Sequence, residues 1–471
     1  NCNNITIYSI VFCKKTDLNP SFSGKTMRPK KPVEKPQSEL FHIRLDVVCD
    51  PTNSLVKLAD RIDWDGLDET FASLYAEDGR PATATRMMIG LTLLQSLYGL
   101  GEDDVVNRWP ENPYWQYLCG ETFFQHRPPI VRSGLSKWRK RIKSKGMEAL
   151  LQQTLVVGLD VGAVKQTSLK RVSVDTTVQP KAIAHPTDAK LLNRSRERLV
   201  NLAKKEDVNL RQSYKRKGPQ AVLKAGRYAH ARQMNRMRKQ VKFLRTYLGR
   251  IVRDVERKAD NMSEALRDEL NLAKRLIKQQ RNDKNKLYSL HEPHVACISK
   301  GKAHKKYEFG NKVSVCVTNK EGFILGTQGL EGNPYDGHTL KGALDQATRL
   351  TGTRPQRCYV DRGYRGHGVS ETDVFISGQR RGITPTIKRE LKRRSAIEAV
   401  IGHEKTEGRL GWNRLGGLLG DKINALMAAI GYNLRLILRA LSFLRLYFGA
   451  LIANLLGADQ RRAIIFGFNL G

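Results

Sequence analysis

The stretch from Gln356 to Arg409 decides the fold. It opens with Gln356–Gly366, QRCYVDRGYRG, and closes with Arg393–Arg409, RRSAIEAVIGHEKTEGR. In the first segment the apolar run Cys358, Tyr359 and Val360 ends on Asp361, and Arg362-Gly363 supplies the turn expected where a buried strand stops. In the second, a period of about 100° per residue puts Arg394, Glu398, Lys405 and Arg409 on one helix face, with Ile397, Val400 and Ile401 packing beside it. A carboxylate at a strand end and another on a nearby helix can share a divalent cation. A third carboxylate stands far upstream in Lys170–Pro180, KRVSVDTTVQP, where Val172 and Val174 alternate with Ser173 and Asp175 ends the run before Thr176 and Thr177. Two acids at strand ends and one on a helix suit a two-metal phosphoryl-transfer site, with ions about 3.5–4 Å apart. Mg²⁺ favours a few carboxylates plus substrate phosphate oxygens, so two Mg²⁺ ions, with Mn²⁺ as a substitute, are the expected cofactor.

At these residues the chain resembles the IS5-type DDE transposases of bacterial insertion sequences. The resemblance rests on VDTT at Asp175, VDRGYRG at Asp361, and an R-x3-E-x6-K signature matched by Arg394, Glu398 and Lys405. Less specifically, it covers most of the chain from about residue 60 to 440. It implies that Asp175, Asp361 and Glu398 bind the metals and that Lys405 contacts the transposon end. It also implies an α/β fold: a ribonuclease-H-like mixed sheet as catalytic core, an N-terminal helical domain and a long helical insertion. One departure is visible. The family usually has Tyr three residues before the Arg, and this chain has Leu391; that Tyr is not a metal ligand, so the change bears on DNA-end binding rather than chemistry.

Charge supports the same direction. Among 471 residues, 82 Lys and Arg against 46 Asp and Glu leave a net charge of +36. Such an excess points to a polyanionic partner, nucleic acid before a membrane surface, although charge alone does not choose DNA over RNA. Seven scattered cysteines without a C-x2-C pair read as reduced thiols of a cytoplasmic protein. His291, His294 and Cys297 recur three apart, but Pro293 interrupts them and no fourth ligand has clear spacing, so no zinc site is assigned.

In chain order, residues 1–60 read as a leader and flexible basic arm; Met27 opens a more natural start, so residues 1–26 need not be native. Residues 61–150 read as a helical DNA-binding domain. Thr83–Leu100 has apolar residues at helical spacing with glycine stops, and Glu102–Trp109 is a second short helix. A basic helix capped by Ser133 then presents Lys137, Arg139, Lys140 and Arg141, in the manner of a helix that reads or grips DNA. The catalytic core is assigned to 165–190 and 287–440. Between them, 191–286 forms a basic helical insertion whose stripe of Val241, Leu244, Leu248, Ile251 and Val255 is its packing face. Tyr307–Asn319 and Phe323–Leu330 alternate as a hairpin about Glu321-Gly322, Asp336 reads as a turn or helix N-cap with contact to substrate near the active face as the alternative, and Gly382–Lys388 is read as a further strand. The most apolar stretch, Asn433–Leu456, which runs into the apolar tail at 441–471, is interrupted by Arg435, Arg439 and Arg445 and reads as an amphipathic helix rather than a membrane span.

The expected activity is cleavage of the element's ends and joining of the freed 3′-OH to target DNA. Double-stranded DNA, both the terminal inverted repeats and the target, is the expected partner, with a homodimer assembled on it. In that scheme Arg394 and Lys405 clamp phosphates beside the scissile bond. Two alternatives remain: a non-catalytic nucleic-acid-binding protein, including a decayed transposase, and another ribonuclease-H-like nuclease acting on branched DNA.

Overall fold

A computed structural model describes residues 43–75, 82–259, 261–280, 282–299 and 306–455, with side-chain burial given as far as 443. Most of the expected leader (1–42) and the end of the apolar tail (456–471) lie outside these residues.

The centre is a mixed sheet of six strands: β1 Arg171–Pro180, β2 Ala296–Ser299, β3 Tyr307–Thr318, β4 Ile324–Gly329, β5 Arg357–Val360 and β6 Asp373–Ile376. β3 lies antiparallel between β1 and β4, and its first residues also pair with β2. On the other side of β1, β5 and then β6 run parallel to it. The β3–β4 hairpin follows the alternation of Val313, Val315 and Val317, with a bulge between Cys316 and Val317.

Two expectations change. Asp175 does not end its strand: the alternation continues through Thr177 and Val178, and β1 runs on to Pro180 paired with β3. What stops beside Asp175 is its neighbour β5. The Gly382–Lys388 strand is absent, because Thr384 Oγ1 accepts from Ile387 N at 3.3 Å and Pro385 follows it, which starts the Pro385–Arg393 helix. The outermost strand beyond β5 is instead Asp373–Ile376.

Helices cover both faces. The helices from Ser54 to Asp160 share one continuous hydrophobic cluster with the sheet, through Leu94, Trp109, Leu151, Val172, Val315 and Phe323. The long helix Gly417–Leu455 runs through that cluster, with Ile423, Leu426, Ile430, Leu434, Ile437 and Leu441 buried at helical spacing. Within it, Asn433 is wholly buried and tied at both ends: its Oδ1 accepts from Ile324 N at 3.0 Å, and its Nδ2 donates to Thr154 Oγ1 at 3.1 Å. Gly431 lets the Thr85–Tyr98 helix approach, since a β-carbon there would lie 2.0 Å from Ser96 O. The stretch Gly417–Phe443 is long and apolar enough to cross a membrane, yet half of its most apolar part is buried inside the protein.

Residues Asp188–Lys205, Lys217–His230, Met234–Lys258 and Glu264–Lys278 form four helices with a separate core of Leu199, Leu244, Leu248, Ile251, Val255 and Leu270. A buried polar knot joins the chain's return from these helices to the sheet. Lys181, after β1, pairs with Glu292 at 3.3 Å and with Asp421, and His294 Nε2 lies 3.2 Å from both acids.

Candidate active site at the end of β5

Asp361 follows β5 directly. Its Oδ1 accepts from Gly363 N at 2.8 Å, which closes the turn that the Arg362-Gly363 pair requires. Ser173 and Tyr359 are register partners in the parallel β1–β5 pair. Asp175 and Asp361 each stand two residues further on, so they fall side by side where β5 ends. Asp175 Oδ1 accepts from Thr176 N at 2.7 Å.

The third expected acid, Glu398, lies on the Ala396–Thr406 helix and is mostly exposed. One guanidinium links it to the strand. Arg394 Nη1 lies 3.7 Å from Asp175 Oδ2, and its Nη2 lies 3.8 Å from Glu398 Oε1. The chain therefore brings Asp175 and Glu398 to either side of one positive charge. Arg394 occupies a break between the Pro385–Arg393 and Ala396–Thr406 helices, not the single helix the sequence suggested, and Arg409 has left the helix with φ +61°. Lys405 is half-buried, seven residues beyond Glu398 and on the same face about 10 Å along the axis.

Sequence reasoning read Asp336 first as a cap, with contact to substrate as the alternative, and missed Lys312 and Tyr364. Asp336 opens the Asp336–Thr351 helix, and its Oδ1 accepts from Thr176 Oγ1 at 2.7 Å and from Lys312 Nζ at 2.8 Å. Lys312 is a nearly buried lysine in β3, a signal hidden within an alternating strand. Tyr364 is fully buried, and burial, reinforced by the nearby Asp175, Asp336 and Asp361, holds its hydroxyl far above the usual tyrosine range.

The donor set is all carboxylate oxygen, the chemistry of a hard divalent cation. Among the described residues, no three His, Cys, Asp or Glu side chains converge into a ready-made metal cage. Lys312 and Arg394 stand among the acids and neutralise them in pairs. A Mg²⁺ site that takes its remaining ligands from phosphate and water does not need a closed cage, so these carboxylates would suit such a cation. His291, His294 and Cys297 do not converge either: His291 Nδ1 meets Ser289 Oγ at 3.0 Å, His294 meets Glu292 and Asp421, and Cys297 lies in β2.

The basic helix begins at Arg132 after an N-cap Val131, so Ser133 sits inside the first turn rather than capping it. Lys137, Lys140 and Arg141 are exposed. Arg139 is not: it is 5% exposed, held by Glu102 and by Gln95 Oε1 at 3.1 Å, and burial lowers its pKa to about 10. Its charge belongs to the packing of this helix on the Glu102–Arg108 helix. Elsewhere, the Met234–Lys258 helix exposes Arg236, Arg238, Lys239, Lys242 and Arg253. A cleft of about 790 Å³ beside the first helix of that four-helix group is lined by His185, Lys190, Arg194, Arg198 and Tyr288.

A mixed sheet with acids at the end of one strand, flanked by helices rich in exposed Lys and Arg, offers a positively charged surface suited to a polyanion. A family model described as "Transposase domain (DUF772)" matches residues 44–141, the helices packed on the sheet. The chain is also 49% identical over 207 residues to the "Uncharacterized protein ORF8 in nfe locus" of Rhizobium meliloti, covering 44% of this chain and 100% of that protein. Over residues 44–141, then, the chain carries a domain of a transposase family. No solved structure matches it.

Proposed function

We propose that the chain is a DDE transposase of the IS5 type, with a ribonuclease-H-like catalytic core that cuts the ends of its element and joins the 3′-OH to target DNA. What carries this reading is the side-by-side placement of Asp175 and Asp361 at the end of β5, with Glu398 facing Asp175 across Arg394. Asp175, Asp361 and Glu398 would hold two Mg²⁺ ions. When bound, such ions activate the attacking oxygen and neutralise the leaving one in an in-line displacement. No protein general base is required, and Arg394 and Lys405 orient the phosphates on either side of the scissile bond. Arg394, which pairs with Asp175 and Glu398, would be free to meet a phosphate oxygen if bound cations took its place beside those acids. Lys137, Lys140 and Arg141 grip the DNA end. The exposed basic face of the Met234–Lys258 helix and the cleft beside Lys190 and Arg194 hold more distant backbone. A homodimer on DNA places one such site at each end of the element.

The test is a divalent-dependent nicking assay on a duplex carrying the element end, paired with an end-binding assay. Asp361→Asn is expected to abolish strand cleavage while end binding stays within about twofold. Cleavage by that variant removes Asp361 from the chemistry. A wild-type chain that binds ends and never cuts them is a DNA-binding protein without catalysis.

A further inference from the structure

Asp336 has no use as a helix cap. Tyr335 holds the N-cap position, and no side chain caps that helix. The Asp336 carboxylate turns back instead to the sheet, where Oδ1 is held by Thr176 Oγ1 at 2.7 Å and Lys312 Nζ at 2.8 Å. Thr176 alternates with Asp175 along β1, so Asp336 reaches the strand from the face opposite Asp175. The two faces meet where β5 stops. A β-carbon built on Gly363 would lie 3.0 Å from Asp361 Oδ1 and 3.1 Å from Asp336 Oδ2, so these two carboxylates line the same gap. Tyr364, next to Gly363 and fully buried, lies within electrostatic reach of Asp175, Asp336 and Asp361, and its hydroxyl has no hydrogen-bond partner among the described residues. A buried hydroxyl left without a partner beside three acids is a group awaiting a ligand or its water shell.

We propose that Asp336 is a further carboxylate of the cation site and that Lys312 is the resident counter-charge a divalent cation displaces. This rests on the reading of Asp175 and Asp361 as cation ligands. The displacement is structurally cheap for Lys312, because its Nζ also donates to Pro334 O at 2.7 Å and keeps that partner when Asp336 turns away. Asp336 would then share the cation with Asp361 across Gly363, and the unpartnered Tyr364 hydroxyl would gain a water or ligand oxygen to meet.

The experiment is Mn²⁺ binding to the full chain without DNA, read by loss of the free-ion electron paramagnetic resonance signal. Wild type, Asp361→Asn, Asp336→Asn and Lys312→Met are compared. Asp336→Asn is expected to weaken Mn²⁺ binding by about tenfold or more, since even an outer partner of a metal site is worth 10–100-fold. Lys312→Met is expected to tighten it, because an attached positive charge no longer competes with the ion. The opposite signs separate the proposal from general loss of structure: should Asp336→Asn melt, tighter binding by Lys312→Met still supports it, and unchanged or weaker binding overturns it. If Asp361→Asn weakens binding and Asp336→Asn does not, Asp336 is no part of the site while the reading of Asp361 stands. If neither acid variant changes Mn²⁺ binding, the cation site itself is misplaced and the proposal falls with it.

Discussion

Glu404 offers a sharp test of how the helix bearing Glu398 is seated. It lies six residues beyond Glu398, is fully buried, and neither of its carboxylate oxygens has a hydrogen-bond partner among the described residues. Burial pushes its carboxyl up to about 8, against the pull of the Arg435 and Lys405 charges. A rise from the ordinary 4.5 to about 8 corresponds to on the order of 5 kcal/mol. Its direction is fixed by linkage. The folded chain keeps this proton while the unfolded chain gives it up, so the stability is fully present below about pH 4.5 and is lost as pH rises to about 8. By pH 7 about 3 kcal/mol has gone. Glu404→Gln keeps the neutral group's shape and does not titrate. The stability difference between variant and wild type should therefore move in the variant's favour by about 3 kcal/mol between pH 4.5 and 7, then level off above pH 8. Urea or thermal unfolding across that range reads it, and any fixed packing cost of Gln offsets the curve without altering its slope. Parallel curves would mean that Glu404 is ionised in the fold and paired with Arg435, and the reasoning would be refuted.

Three further outcomes follow from the basic helix and the core. Replacing Lys137, Lys140 and Arg141 by Ala should lower DNA affinity and reduce the log–log salt slope by about 0.9 for each phosphate no longer neutralised, measured by fluorescence anisotropy over a salt series. Arg139→Ala should instead act through folding. It removes a buried guanidinium from Glu102 and Gln95, and a loss of about 3 kcal/mol in unfolding free energy is expected, with a salt slope unlike that of the exposed set. Gly431→Ala puts a β-carbon 2.0 Å from Ser96 O. It should force the Thr85–Tyr98 helix off the long helix at a cost of about 1–3 kcal/mol, visible as a lower melting temperature.

What could be read from the sequence was whatever depends on period and punctuation. Cys358–Val360 followed by Asp361-Arg362-Gly363 is a strand and its stop in the structure too, because a short apolar run and a turn pair are local signals. The Tyr307 hairpin is equally local. Gly382–Lys388 failed for a local reason of its own: its β-branched residues suggested a strand, and the Thr384-Pro385 pair, a helix start, outweighed them. Arg139 shows the limit of composition. Within KWRKR the other basic residues are exposed, yet helical spacing turns Arg139 with Leu135 and Ile142 toward the core, where Glu102 meets it. A charge count cannot make that distinction; a helical projection of the same five residues can.

The active face adds something no local pattern carries. Asp336 and Lys312 come from a helix and a strand on one side of the sheet, and Asp175 and Arg394 meet on the other. Asp336 is paired with Lys312 and Asp175 with Arg394, and both bases are mostly buried. Packing several carboxylates around the end of one short strand would be costly without such partners, because like charges in a partly buried site repel and lose hydration together. The bases make the acids compatible with a folded core before any cation or DNA is present. A divalent cation bound there would take over their neutralising role, and a phosphodiester bound beside it would receive Arg394.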